Sequence, residues 1–387
     1  MLPLFLIVFL DLVGFGMVLP VFPFYAERVG VPPSLVIFLG GLYSLGQLIG
    51  APLWGALSDR VGRKPILLLT LLANAAANLV LAVADSGPLL GASRLIGGLA
   101  AGNIATAYAY VADVTDDAGR PKALGLLGAA FGLGFILGPA LGAALAGSGG
   151  ASLARVAHGA TALSVIAAIA TALLLRESLT PERRAAARER PRGRLGDYLT
   201  RPGLGSLLVV TLGVFGAVAM QQTTLPLWAA AQLGLGPRTL GIVYAYVGVV
   251  AVLVQVRLIG PLSARFGSLR LVEAGILLTA AGMVLVPPAA GIPALLLSLT
   301  AFGAGNALFN PSMSALVSRV AAADERGAVL GVYQSSSSLG RVLGPLLGSA
   351  LAAVATLDAV FLAGAFVLLG CVWLVARARL LAAREAG

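Results

Sequence analysis

The sequence predicts an all-α membrane protein of twelve transmembrane helices arranged as two related six-helix bundles. Three observations predict it. Hydrophobic residues make up 59% of the 387 residues and charged residues 11%, with a mean hydropathy of +0.97, against roughly 25% charged in an ordinary soluble domain. Apolar runs near the length of about 20 residues that a span needs start close to Leu2, Ser34, Pro65, Pro88, Ala123, Ala154, Pro202, Thr239, Leu269, Ile292, Ala328 and Leu357. Finally, the chain repeats itself: Gly55-Ala-Leu-Ser-Asp-Arg-Val-Gly-Arg-Lys64 returns, weakened, as Gly260-Pro-Leu-Ser-Ala-Arg-Phe-Gly267.

The net charge of +10 is distributed by side of the membrane. The hairpins after odd-numbered spans hold Arg28, Arg155 and Arg238. The other connections hold Arg60, Arg63, Lys64, Arg120, Lys122, a dense group from Arg176 to Arg201, and Arg265, Arg270, Arg319, Arg326, Arg377, Arg379 and Arg384. The excess of bases on cytoplasmic loops of membrane proteins then places both termini and the central linker in the cytoplasm. This pattern argues against nucleic acid as the partner of the positive charge. The expected units are residues 1–175, a basic linker at 176–201, and residues 202–387. Cys371, the single cysteine, is expected to fill space in the last helix. The first apolar run reads as an anchor rather than a cleaved signal.

In span 1, Asp11 lies inside an apolar run that continues to Pro20 and Pro23. It sits roughly 12 Å from the inner end at 1.5 Å per residue. An ionised carboxylate at the centre of a span costs about 2.5–3.5 kcal/mol on insertion scales, so the position implies a water-filled cavity, a partner or a proton. Proton handling and a structural pair with an arginine are the alternatives. Span 2 ends at the glycine-bounded turn, and span 3 begins at Pro65, a residue tolerated in a first helical turn. Asn74 and Asn78 share one face of span 3 and read as helix-packing hydrogen-bond formers, with cavity lining as the alternative.

Span 4 carries Arg94, Gly97, Gly98, Gly102 and Asn103, then Tyr108, before the acidic exit Asp113, Asp116 and Asp117. An arginine at that depth faces the bundle interior; Asp11 or a substrate carboxylate are its candidate partners. In span 5, Gly134, Gly138 and Gly142 form a smooth face every fourth residue, and Pro139 favours a bend. His158, the only histidine, reads as an interfacial residue of span 6, with a pH-responsive role as the alternative.

In the second half, span 7 has Gln221 and Gln222, and span 8 has Tyr244 and Arg257. Span 9 has Glu273, expected to pair with Arg257 or to form a second proton site. Span 10 has Asn306 and Asn310; span 11 has Gln334, four serines and Arg341. Leu133–Leu145 matches Leu339–Leu351 at nine of thirteen positions, and Ala101-Gly-Asn103 matches Ala304-Gly-Asn306. Such a repeat implies two bundles related by an axis along the membrane normal, with substrate near mid-membrane.

Over essentially its whole length the chain resembles the major facilitator superfamily. The Gly55–Lys64 stretch resembles the signature between spans 2 and 3. Arg94 with Gly98 and Gly102 resembles that of span 4, with Gly97 in place of the usual glutamine. Gly134 through Gly142, including Pro139, resembles the span 5 signature of exporters that exchange substrate for protons. Asp11 with Pro20 and Pro23 resembles span 1 of the twelve-span drug/proton antiporters, nearest the tetracycline exporters.

The resemblance implies a proton-coupled exporter of amphiphilic small molecules working by alternating access. Asp11, Arg94 and Glu273 are then the proton-coupling residues. Asn103, Tyr108, Gln221, Gln222, Tyr244, Asn306, Asn310, Gln334 and Arg341 line the substrate cavity. Gly55, Asp59, Arg60, Gly62, Arg63 and Asp113 form a conformational latch, in which Asp59 caps the amino end of span 11 and Arg63 bridges Asp59 to Asp113. Ala264 removes the acid from the second copy. Ala76, Ala77 and Asn78 stand where tetracycline exporters place an acid, which argues against tetracycline itself. A transporter of a sugar, organic anion or amino acid is the alternative, with Arg94 and Arg341 gripping an anionic group bidentately.

The expected partners are a small-molecule substrate, protons and lipid, with the chain a monomer in the inner membrane. No nucleophile–base set, metal-ligand cluster or phosphate loop occurs, so no enzyme activity, cofactor or metal is expected.

Overall fold

The computed structural model describes residues 1–116, 119–146, 152–179, 203–320 and 326–385, and among these every regular element is helical. Span 1 is Leu2–Val18 and continues, after a 40° bend, as Phe22–Arg28. Pro20 sits at the bend, where a residue without an N–H breaks the ladder. Span 2 is Pro33–Val61, span 3 Arg63–Val83, span 4 Gly87–Ala101 plus Ile104–Val114, span 5 Arg120–Ala146 and span 6 Ser152–Leu174. Span 7 is Leu204–Leu233 and span 8 begins at Pro237, passing through a π-helical turn at Val254–Leu258. Span 9 ends at Val284, span 10 is Ile292–Val320, span 11 Arg326–Val354 and span 12 Leu357–Glu385.

Spans 8 and 9 form one 48-residue helical run, far longer than a single crossing of about 20 residues, and its helical geometry is interrupted at Gly267 (φ 77°, ψ 161°). Gly62 (φ 127°, ψ 159°) does the same between spans 2 and 3. The expected turns are therefore shorter than the sequence indicates. Helix runs to the residue before Gly62 and resumes at the residue after it, because only glycine adopts that backbone conformation without cost.

The Cα framework falls into two compact units. One comprises Met1–Pro191 with Leu235–Gly248, the other Arg192–Gly234 with Val249–Gly387. The first part of span 8, up to Gly248, thus groups with the first unit, where its Gly248 lies against Phe135 and Ile136 of span 5 and its Gly241 against Pro139 and Ala143. The linker positions 180–202 fall outside the described residues.

Glycine decides where helices meet. A Cβ on Gly134 would meet Leu12, and one on Gly138 would lie 2.7 Å from Gly16; the glycine face of span 5 therefore packs on span 1. Likewise Gly340 lies against Leu212, and Gly344 against Gly216, joining span 11 to span 7. Gly98 and Gly102 bring span 4 onto the backbone of span 2 at Tyr43 and Gly50. In lipid, helix association depends on close packing of this kind, since the solvent offers no hydrophobic gain.

Below Asp11, Leu4, Ile7, Val8, Leu67, Leu71, Ala107 and Val111 form the inner core of the first unit. At the opposite end Tyr25 donates to the carbonyl of Ala84 at 2.5 Å, fixing the bent end of span 1 to the end of span 3.

Candidate functional site

Among the described residues of the first unit, Asp11 is the carboxyl group held within the helix core. Asn74 Nδ2 donates to Asp11 Oδ1 at 2.8 Å and Asn103 Nδ2 to Oδ2 at 3.3 Å, so spans 1, 3 and 4 are joined through one side chain. Asn74 also reaches Ser164 Oγ of span 6 at 3.4 Å. A small pocket borders Asp11 on its inner side, lined by Leu67, Leu71, Asn103, Ile104 and Ala107 among others.

Gly97 borders the same arrangement. A Cβ there would stand 3.6 Å from the Tyr43 ring and 3.8 Å from Asn74 Oδ1; a glutamine would extend into the space that these two groups use. The interhelical hydrogen bond expected of Asn74 is made to the carboxyl group of Asp11.

Arg94 is not the partner of Asp11. Its guanidinium lies 5.0 Å from the centre of the Phe22 ring, in the bent extension of span 1, while Asp11 lies in the straight part and is satisfied by amides. Arg94 is 7% exposed, and its Nε has no hydrogen-bond partner. Tyr43, its ring tilted against Phe15 with centroids 4.8 Å apart, lies within electrostatic reach of both Asp11 and Arg94.

At the inner end of the unit, Arg63 bridges Asp59 at 2.6 Å and Asp113 at 3.0 Å, and donates to Ser58 Oγ at 2.7 Å. The expected bridge is therefore present in its geometry; the residues 321–325 that lead into span 11, whose amino end Asp59 is expected to cap, lie outside the described residues. Sequence reasoning missed Glu177 and Ser178. The Glu177 carboxylate accepts the backbone N–H groups of Arg63 at 2.9 Å and Lys64 at 3.1 Å, and Ser178 Oγ donates to Asp113 at 3.0 Å. An acid at a helix amino end satisfies orphan N–H groups and complements the dipole. Lys64 closes the same corner by donating to the Ala172 carbonyl at 2.7 Å. Gly55 and Arg60 contribute differently: the Gly55 carbonyl accepts from Ser58 at 2.8 Å, and Arg60 is exposed.

In the second unit, Arg341 Nη2 donates to Ser338 Oγ at 3.1 Å and Ser337 Oγ at 3.4 Å, with its guanidinium 5.0 Å from the Phe215 ring. Its buried Nε has no hydrogen-bond partner. Asn310 donates to the Asn306 carbonyl at 3.0 Å and to its side chain, so these two amides satisfy one another. Gln221 is buried, Gln222, Tyr244 and Glu273 are half-buried, and Tyr108, Gln334 and Arg257 are exposed on their helices. His158 is exposed and donates through Nδ1 to the Ala154 carbonyl at 2.6 Å, consistent with an interfacial residue.

A helical membrane chain with internally repeated halves and polar side chains held within its spans is built as a secondary transporter. The chain belongs to the Major Facilitator Superfamily, which it matches over residues 4–259 and again over 207–386. It is a transporter, not an enzyme. It is 30% identical over 352 residues to multidrug resistance protein 2 of Bacillus subtilis, covering 89% of this chain and 86% of that one. It is 30% identical over 386 residues to the class C tetracycline resistance protein of Escherichia coli, covering 95% and 91%. The crystal structure of the human organic anion transporter MFSD10 superposes with a TM-score of 0.70 at 25% identity, covering 96% of this chain and 98% of that one. A point mutant of the nucleoside transporter NupG, at 16% identity and a TM-score of 0.81, shares the fold over 97% of this chain and 99% of that one.

Proposed function

We propose that this protein exports amphiphilic small molecules in exchange for protons by alternating access, with Asp11 as the proton-binding group. Residues 1–175 and 202–387 form the two moving halves, in a monomer of the inner membrane with both termini cytoplasmic. The observation that carries the reading is the setting of Asp11: a carboxyl group inside the helix core with two neutral amide donors and, among the described residues, no cation at ion-pair distance. A carboxylate fixed by an arginine would hold one charge state. One held by amides exists in either, because an amide offers both N–H donors and a carbonyl acceptor.

A proton arriving from outside neutralises Asp11 and releases substrate; its discharge inside restores the state that binds substrate. A charge moved through the membrane potential supplies about 2.3 kcal/mol per 100 mV, enough to drive a two-state equilibrium whose states differ by a few kcal/mol. The kinship with multidrug and tetracycline resistance proteins supports export of drug-like compounds.

A second reading, transport of an organic anion, is favoured by one specific observation. Arg94 and Arg341 each hold a buried Nε–H without a partner, and an orphan guanidinium donor of this kind suits a carboxylate. The likeness to the organic anion transporter MFSD10 points the same way.

Energised inverted vesicles containing the protein or its Asp11→Asn variant test both. The proton gradient is followed while lipophilic cations, neutral drugs, sugars and organic anions are added. Discharge by a lipophilic drug only with intact Asp11 is expected. Discharge by organic anions alone replaces the first reading with the second, and uphill export by Asp11→Asn removes Asp11 from coupling.

A further inference from the structure

The tripeptide Ala-Gly-Asn occurs once in span 4 and once in span 10, and the two copies fold differently. In span 10, Ile292–Val320 runs through Asn306 as one helix, with Asn306 and Asn310 bonded to each other. In span 4 the helix stops at Ala101 and resumes at Ile104. Across the gap the bonds tighten to i→i+3: Gly102 to Leu99, Asn103 to Ala100, and Ala105 to Gly102. Such a turn inside a span often marks a hinge. The tripeptide does not enforce it, since span 10 has none. What distinguishes span 4 is that Asn103 turns out of its helix to Asp11 on span 1.

Two further features adjoin the tightened turn. A gap the size of about one water molecule beside Asp11 is bounded by Asn103, Ile104 and Ala107 of the inner segment. The far end of the same segment carries Asp113, which holds Arg63 of the latch.

We propose that Asn103 is the positioning residue that converts the charge of Asp11 into the setting of the inner segment of span 4, and through Asp113 into the state of the latch. This inference rests on Asp11 being the proton site. When Asp11 is ionised, Asn103 donates to it and the tightened turn is held. When Asp11 is protonated, Oδ2 no longer needs that donor; Asn103 is released, and Ile104–Val114 re-sets about the tightened turn, drawing Asp113 from Arg63.

The titratable and charged groups around Asp11 are Tyr43 on span 2 and Arg94 on the outer segment of span 4. Tyr110 and Asp113 lie farther along the inner segment. At the level of Asp11, spans 3, 5 and 6 present Asn74, Gly134 and Ser164, none of which ionises.

The test uses the full chain in proteoliposomes, with Cys371→Ala and a reporter, Ala112→Cys, at an exposed position of the inner segment. Maleimide labelling rate is recorded from about pH 5 to about pH 9, a range that spans ordinary and strongly perturbed carboxyl titration. It is divided by the rate for the same cysteine in the unfolded chain, which removes the rise that thiol ionisation alone produces. With Asn103 intact the rate follows a single titration. Asp11→Asn abolishes the titration. Asn103→Ala and Asn103→Leu both lose its amplitude, whereas Asn74→Ala shifts the midpoint and keeps the amplitude.

Full amplitude in either Asn103 variant overturns the inference, as does a flat profile in the otherwise native protein. Neither outcome touches Asp11 as the proton site, which stands or falls by uphill transport in the vesicle assay. Using two Asn103 variants of different volume separates loss of the hydrogen bond from a packing defect.

Discussion

The seam between spans 1 and 5 and the seam between spans 7 and 11 share one construction and carry opposite chemistry. In each, a glycine of the second helix lies on a glycine of the first: Gly138 on Gly16, and Gly344 on Gly216. Each also places a phenylalanine one residue before the first-helix glycine. Phe15 meets the edge of Phe135, whereas Phe215 meets the guanidinium of Arg341, which occupies the place of Phe135 in the repeat.

Five residues before that glycine, the first seam has Asp11, held by amides from two other helices. The second has Thr211, fully buried with its hydroxyl on the Leu207 carbonyl of its own helix at 2.7 Å. The scaffold therefore fixes how closely the helices approach. Which half carries an acid and which a base is set by one or two side chains on it.

Exchanging those side chains tests the comparison most severely. Asp11→Thr, which gives the first seam the residue of the second, is expected to reduce uphill export to background in vesicles. Thr211→Asp is not expected to restore it, and burying a carboxyl without amide donors costs about 3 kcal/mol or more, read as a fall in thermal unfolding temperature. Rescue of export by Thr211→Asp would show that the seams are interchangeable.

Next in size, Gly138→Val and Gly344→Val each overpack a backbone contact and should destabilise by about 1–3 kcal/mol. Unequal losses on thermal unfolding in detergent would mean that only one seam depends on close approach. Arg341→Phe copies Phe135 into the second seam and is expected to weaken binding of a carboxylate compound by about 1.5–3 kcal/mol, the range for a hydrogen bond to a charged group. Unchanged affinity removes this arginine from anion recognition.

The smallest effect is expected at the latch. Asp59→Ala gives the first glycine joint the alanine that Ala264 gives the second. Because Asp59 is 39% exposed, the loss is about 1 kcal/mol or less, visible as increased cysteine labelling at the inner ends of spans 2 and 3. Labelling unchanged from the native protein would show that Asp113 and Glu177 suffice.

Most of the fold is legible in the sequence because lipid imposes it: apolar runs, basic inner loops and glycine spacing are local features. The exact turn at Gly62 is less so, since a glycine between charged residues fits a loop as well as a single-residue joint. Asp11 stands out as one charge in an apolar run, and Asn103 through its repeat.

Asn74 does not stand out. Its partner lies 63 residues away, and its spacing from Asn78 is that of an ordinary packing pair. Arg94 is misleading for the reverse reason: charge complementarity pointed to Asp11, but the guanidinium rests on Phe22 in the bent end of span 1. Glu177 lies at the head of an arginine-rich stretch, where composition suggests only a solvated charge. Its role emerges when span 6 ends beside the start of span 3.

The joint at Gly62 makes spans 2 and 3 a lever with almost no slack. A helix of about 20 residues is about 30 Å long, so a change of about 10° at that one residue carries the outer end of either helix through about 5 Å. The carboxylate of Glu177, fixed on the first two N–H groups of span 3 and against Gly62 itself, sits at the fulcrum, where a small displacement at the inner surface is magnified at the outer one.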